Sequence, residues 1–215
     1  VDTTSGAPQG LIAMRVNDQE VIPTITQITN GYKVEYTPTS PLDDSTVSVE
    51  IEASDNVGNW MSYSWTFTVD TQSPSVSVIS PNGGEIWAGG STQTIKWSAT
   101  DTNMADHPIS IYYSYDGGEW QLIATNEEND GVYEWVLPTM NSANVLVKVV
   151  AVDKAGNEGE DASDNPFTID SEPPHVEVTG APDNWVVNKN GINAGINCID
   201  EISECDIESY KFKFY

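Results

Sequence analysis

The sequence predicts an all-β protein made of tandem antiparallel β-sandwiches, one complete and two partial. Three observations carry this. Apolar and polar residues alternate with a period of two over short runs, and no run shows a helical period. Turn formers punctuate the runs at regular intervals: Asp116-Gly117-Gly118, Asn129-Asp130-Gly131, and two copies of an Asp-x-x-Gly-Asn turn at 55–59 and 153–157. Marker residues also recur. Asp2, Asp101 and Asp200 stand 99 residues apart, and Phe67/Phe167 and Asp70/Asp170 stand 100 apart, the length of one sandwich unit.

The first unit, 1–70, opens inside a sandwich. GLIAMRVND reads as a strand ending at an Asn17-Asp18 turn, and NGYKVEYTP places Tyr32, Val34 and Tyr36 on one face. STVSVEIEAS sets Val47, Val49, Ile51 and Ala53 against Ser48, Glu50, Glu52 and Ser54. SYSWTFTVD is expected to turn Tyr63, Trp65, Phe67 and Val69 inward. The unit's first two strands are expected to precede Val1. Thr71-Gln72-Ser73-Pro74 links it to the complete unit, 75–170, as a short, semi-rigid joint.

Seven strands are expected in that central unit. SVSVIS comes first. TQTIKWSAT then carries Ile95, Trp97 and Ala99 on one face, and PISIYYSYDGG carries Ile109, Ile111, Tyr113 and Tyr115 on one face before turning into EWQLIAT. VYEWVLP follows the Asn129-Asp130-Gly131 turn. The run 145–152 is apolar on both faces except for Lys148, as a central strand should be. The stretch 166–170 closes the unit. Beyond Ser171-Glu172-Pro173-Pro174, the third unit, 175–215, supplies HVEVTG and GINAGINCID as its first two strands and IESYKFKFY as its third.

SPNGGEIWAGGSTQTIKW, followed by YYSYDGGEWQLIA, NDGVYEWVLP and AVDKAGN, resembles the Ig-like repeats of archaeal and bacterial surface proteins, and in particular the Kre9/KNH-like type. RVND, NGYKVEYTP, ASDNVGN and WTFTVD are similar to bacterial Ig-like repeats. CIDEISEC resembles a cysteine-bounded turn of related repeats, with Glu204 where glycine is usual. The resemblance implies Ig-like sandwiches displayed outside the cell. Such modules serve adhesins, S-layers, sheaths and appendages of secreted enzymes, so it implies no single function.

Composition narrows the partners. The chain has 215 residues, 33 acidic against 8 basic side chains and a net charge of −25. Nucleic acid and anionic membrane surfaces would repel it, and no apolar run is long enough to insert directly into a bilayer. An apolar fraction of 38% with seven Trp and nine Tyr suffices for packed cores. Most of the carboxylates read as a solvated surface, screened from one another beyond about 8 Å at physiological salt.

The Asp-x-x-Gly-Asn turns have two readings. Asp accepts bonds from the backbone that follows it and Gly supplies a positive φ, so a hairpin alone explains them. Topology adds a second reading. With strands alternating in direction, the loop after the second strand, the loop after the sixth and the point where the chain enters share one end. That gathers Asp70, Asp101, Asp153 and Asn157 at the central unit, Asp170 and Asp200 at the next junction, and Asp2 and Asp55 in the first unit. Carboxylates converging without a basic partner repel unless a cation sits among them, and Ca2+ suits hard oxygen ligands. Calcium at the domain junctions is therefore the expected cofactor.

Cys198 and Cys205 bound an eight-residue stretch and are read as a disulfide in an oxidising compartment. The other readings are two unpaired thiols or a metal site, although no further Cys or His stands at ligand spacing. His107 and His175 accompany no nucleophile motif. Trp65 and Trp97 read as core; Trp87, Trp120 and Trp135 read as packing or as sugar-stacking platforms.

The sequence points to a non-catalytic extracellular structural protein, a segment of a tandem Ig-like array in a surface layer, sheath or filament. Its expected partners are copies of itself or neighbouring Ig-like domains, head to tail. An adhesin or carbohydrate-binding array and accessory domains of a secreted hydrolase are the alternatives.

Overall fold

In a computed structural model of the chain, the described residues are 12–29, 31–179 and 195–203. They fall into two compact units, Val1–Gln72 and Ser73–Tyr215. All the regular structure described is β.

In the first unit, β1 (Ile12–Val16), β2 (Gln19–Val21), β5 (Ser45–Ser54) and β6 (Trp60–Val69) form a sheet ordered β2-β1-β5-β6, while β3 (Thr24–Ile28) and β4 (Gly31–Glu35) form a separate hairpin. The alternation on β1 and β5 sets the register: Ile12 faces Ala53, Met14 faces Ile51 and Val16 faces Val49. Met14, Val16, Val47 and Val49 are buried, with Val34, Tyr36 and Leu42 packed against them. On the other face, Arg15 Nη1 donates to Glu52 at 2.8 Å and Glu50 at 3.3 Å. β2 and β3 were not expected. β2 has three residues, and β3 reads TITQI, too polar to show an apolar face.

One expectation fails here. Tyr63, Trp65 and Phe67 do not lie inside: they are 66%, 40% and 43% exposed. They do share a face with buried Val47 and Val49, through the pairs Ile51↔Tyr63, Val49↔Trp65 and Val47↔Phe67. β6 is the sheet's edge, and no second layer covers it among the described residues.

In the second unit, β7 (Ser75–Ser80), β9 (Thr92–Thr100) and β12 (Val132–Val136) form a sheet ordered β12-β9-β7. The facing sheet is ordered β11-β10-β13-β15-β8, from β8 (Ile86–Ala88), β10 (Met104–Tyr115), β11 (Gln121–Glu127), β13 (Ser142–Asp153) and β15 (Phe167–Asp170), with β14 (Glu158–Ala162) also on β13. All seven expected strands are present, with β8 and β14 in addition. Ile95, Trp97, Ile109, Ile111, Val145, Val147, Val149, Phe167 and Ile169 fill the space between the sheets. His107 lies within β10, at φ 50°, where the pairing with β13 shifts register.

The SPNGGE opening now has a physical account. Glu85 accepts from the Asn82 and Gly83 amides at 2.9 Å each. Asn82 exchanges two bonds with Asp164, and the Gly84 amide reaches the Pro166 carbonyl at 3.1 Å. The loop thus stitches the start of the sandwich to its last strand.

The two sandwiches repeat one pattern. The order β2-β1-β5-β6 matches β11-β10-β13-β15, and Ile12↔Ala53, Met14↔Ile51 and Val16↔Val49 match Ile109↔Ala151, Ile111↔Val149 and Tyr113↔Val147. Finally, β16 (His175–Thr179) and β17 (Gly195–Ile199) pair as a two-stranded sheet. The expected third strand of that segment lies outside the described residues.

Candidate functional site

The Asp-x-x-Gly-Asn turns are the same object twice. Asp153 Oδ1 accepts the Asn157 amide at 2.8 Å and its Oδ2 accepts Asn157 Nδ2 at 2.7 Å. Asp55 holds Asn59 in the same way, at 2.8 and 2.7 Å. Gly156 and Gly58 both sit at φ 92°, where a β-carbon is strained. In each turn the Gly amide reaches the Asp carbonyl at 3.3 Å. Burial pushes the Asp153 carboxyl up, but the Asn157 side chain and the amides of Asn157, Gly156 and Ala155 outweigh it and hold the group below the usual carboxylate range.

Topology brings a second carboxylate to this turn. Asp101 follows β9, and its Oδ1 accepts the Asn103 amide at 2.6 Å. The 101–104 loop is tied to the β13 end by the pair Met104↔Asp153 and by the Lys154 amide, which donates to the Asn103 carbonyl at 2.9 Å. Carboxylate oxygens of Asp101 and Asp153 consequently lie within 4.8 Å of each other, with Asp153 only 3% exposed. Their hard oxygens are the donor type that a divalent cation such as Ca2+ takes. The chain enters at the same end: a β-carbon on Gly159, just past the turn, would run into the Pro74 carbonyl.

The other expected residues are placed as follows. In the first unit, Asp70 Oδ1 accepts the Gln72 amide at 3.0 Å. Asp44, which the sequence did not single out, accepts Thr71 Oγ1 at 2.8 Å, the Thr71 amide at 3.0 Å and Gln72 Nε2 at 3.0 Å. Those bonds, the Thr71 and Gln72 side chains first, hold its carboxyl below the usual range. A buried Asp170 repeats the Asp70 pattern, accepting the Glu172 amide at 2.9 Å. Asp200 accepts the Ser203 and Ile202 amides at 2.7 and 3.0 Å, which lower it. Asp200, with Glu172, Glu201 and His175, borders a cavity of about 300 Å³. Asp2 lies outside the described residues.

Cys198 is disulfide-bonded, and the chain's other cysteine, Cys205, lies outside the described residues. Trp135 is buried against Tyr113, with ring centroids 5.2 Å apart, and Trp87 packs on Phe167 at 5.0 Å. Trp97 is buried and donates to Asn129 at 3.1 Å. Trp65 departs from its expected core position. Trp120 stays partly exposed, with Lys148 Nζ 5.0 Å from its ring and 5.7 Å from Tyr112.

No family model matches the chain, and no curated protein matches it. Among solved structures it is similar to the fibronectin(III)-like modules of Clostridium thermocellum CbhA, at 16% identity over 80% of this chain and 82% of that one, with a TM-score of 0.46. It is also similar to a tetra-tandem repeat in the extending region of a large adhesion protein, at 21% identity over 83% of this chain, with a TM-score of 0.40. A 1.5-MDa bacterial ice-binding adhesin matches at 16% identity over 80% of this chain, again with a TM-score of 0.40. The chain spans 45% and 57% of those two adhesin structures. Among the described residues, no helix is long and apolar enough to cross a membrane.

Proposed function

We propose that the chain is a non-catalytic, extracellular segment of a tandem Ig-like array on a cell surface, serving as a structural spacer in a layer, sheath or filament. One observation carries this reading. The same sheet order, strand register and Asp-x-x-Gly-Asn turn recur in two successive units, and β16–β17 pair in the register of β7–β9. Repetition of a unit whose chemistry is spent on its own turns is what a spacer needs. Antibody raised against the chain should label intact source cells, and brief external protease should remove the label. Labelling only after lysis would overturn the reading.

The junctions are where a ligand belongs. In this proposal Ca2+ is held by Asp101 and Asp153, with Asn157 fixing the Asp153 carboxylate, and by Asp70 from the preceding unit. Asp70 is four residues from Pro74, so the chain itself keeps it within about 14 Å of that proline. Asp170 and Asp200 would serve the next junction, and Asp2 and Asp55 the first unit. Millimolar Ca2+ should raise the melting temperature and chelation at constant ionic strength should lower it, because the ion binds only the folded state. Asp101→Asn should abolish the difference. Superimposable melting curves with and without chelator would leave the turns as hairpins alone.

One observation favours an adhesive use. Trp120 and Tyr112 lie beside Lys148 on an outer sheet face, and exposed aromatics are what sugar recognition requires. Binding on a glycan array that Trp120→Ala removes would select this reading over the spacer.

A further inference from the structure

The chain enters the second sandwich at Pro74 and leaves it at Ser171. In the larger sheet, the strands nearest those two points, β8 and β15, lie side by side and run parallel. Ile86, Trp87 and Ala88 stand opposite Thr168, Ile169 and Asp170. Every other strand pair among the described residues is antiparallel. Direction matters under tension. A pull on the chain drags the start of β8 one way and the end of β15 the other, along the strands. The bonds between the two are then strained together, whereas a hairpin pulled apart from its open end breaks its bonds one at a time.

The bonds lie where such a load falls. The Gly84 amide donates to the Pro166 carbonyl at 3.1 Å, the Thr168 amide to the Glu85 carbonyl at 2.8 Å, and the Gly89 amide to the Asp170 carbonyl at 2.8 Å. Ahead of β8, Asn82 Nδ2 donates to Asp164 at 2.9 Å, and the Asp164 amide donates back to Asn82 Oδ1 at 2.6 Å. Past β15, the Ser171 amide donates to Asn141 Oδ1 at 2.7 Å, and its hydroxyl bridges the Met140 amide and carbonyl at 2.9 Å each. The core alone does not account for β8. Ile86 is 57% exposed and Ala88 is exposed, so only Trp87 packs on the buried cluster. A three-residue strand that buries one side chain yet is tied at both ends holds position more than it hides apolar surface.

We propose that β8 and β15 form a tension clamp, which makes the second sandwich a load-bearing link in the chain. Load entering at Pro74 falls first on β7, held by its pairing with β9 and by the Val78 amide on Asp161 at 2.7 Å. What β7 releases reaches β8. The clamp must slide before the two sheets can part, so it sets the barrier to unfolding under load. Forced unfolding follows that barrier rather than total stability. The core is still intact when the clamp gives, so core contacts contribute little to the barrier. The clamp goes beyond the proposed function, since a spacer needs no strength along its length, and it stands equally if the array is an adhesin.

Single-molecule pulling of the 215-residue chain at constant load, between handles on its two ends, tests the clamp. The second sandwich is recognised by its length gain, about 300 Å for residues 75–170 at about 3.5 Å per residue less the folded length. Thr168→Pro removes the amide that bonds Glu85 and keeps the pairing with β13 through Phe167 and Ile169. It should raise the unfolding rate under load about fivefold to tenfold, the worth of one hydrogen bond in the barrier. Asn82→Ala, which alters neither strand, should raise that rate as well. Ile111→Val, a core change on β10, should weaken the chain toward denaturant yet leave the loaded rate within about twofold of wild type. Equal acceleration under load by Ile111→Val and Thr168→Pro overturns the proposal, because the sandwich then yields as one body. So does an effect of Thr168→Pro or Asn82→Ala seen in denaturant and absent under load, which leaves β8 as a cover for the sheet edge alone. If Thr168→Pro does not give the wild-type circular dichroism spectrum, Asn82→Ala carries the test. None of these outcomes depends on where the chain is displayed, so failure of the clamp and failure of the surface reading are told apart.

Discussion

At the residue scale, exposure decides what an identical side chain is worth. Phe167 is enclosed by both sheets and packs on Trp87, so Phe167→Ala should cost about 3–5 kcal/mol by losing burial and leaving a cavity. Phe67 holds the matching position on an uncovered edge, and Phe67→Ala should cost about 1 kcal/mol or less. Urea denaturation of the two variants measures both, and equal losses would mean that the β6 face is covered in solution. Protonation is read the same way. The Asp153 carboxyl is held below its ordinary value of about 4, so its stabilising contribution is complete above that pH and is lost as pH falls through the lower, folded value. With chelator present, the melting-temperature gap between wild type and Asp153→Asn should be widest above pH 4 and close below it. A gap that widens on acidification would contradict the hydrogen bonding described for this turn.

At the element scale, period-two alternation located every long strand and missed several short ones. The runs that became β5, β9, β10 and β13 span nine to twelve residues and each shows a stretch of one apolar face. β2, β8 and β14 span three to five residues, too few for alternation to show, and β8 is held by β15, a strand distant in sequence. The expectation for β6 erred differently: its alternation correctly named the face, but pattern alone cannot say whether another sheet lies upon that face. The Asp-x-x-Gly-Asn turns were legible because their bonds are local, and the approach of Asp101 to Asp153 followed from strand direction. Asp44 was not legible, since its partners Thr71 and Gln72 lie 27 and 28 residues away. The SPNGGE loop gives an element-scale prediction. Gly83 sits at φ 123°, and a β-carbon there would meet Asn165 Cβ at 2.5 Å, backbone-anchored and unable to swing aside. Gly83→Ala should therefore lower stability by about 1–3 kcal/mol, while Gly117→Ala, with positive φ but open space around it, should cost only about 1 kcal/mol. Comparable losses from the two would mean that the loop does not close on the last strand.

At the scale of the whole molecule, the second unit shows a two-sheet core that the described residues of the first do not. Its core draws on both sheets: Ile95 and Trp97 come from one, and Ile109, Ile111, Val145, Val147, Val149 and Phe167 from the other. Its closing bonds are internal as well, since Glu85, Asn82 and Gly84 tie the first loop to the stretch before β15. Ser163 adds a bond to the Pro81 carbonyl at 2.7 Å. Nothing in that core or in those closures requires residues outside 75–170. The isolated 75–170 segment should therefore fold alone as a monomer with a β-type circular dichroism spectrum and one cooperative unfolding transition. Among the described residues, the segment 1–72 has a four-residue buried cluster and an exposed β6 face. It should melt at a lower temperature and bind a dye for exposed apolar surface that the 75–170 segment leaves free. If the 75–170 segment were a random coil, or the 1–72 segment the more stable of the two, the completeness assigned to the second sandwich would be wrong.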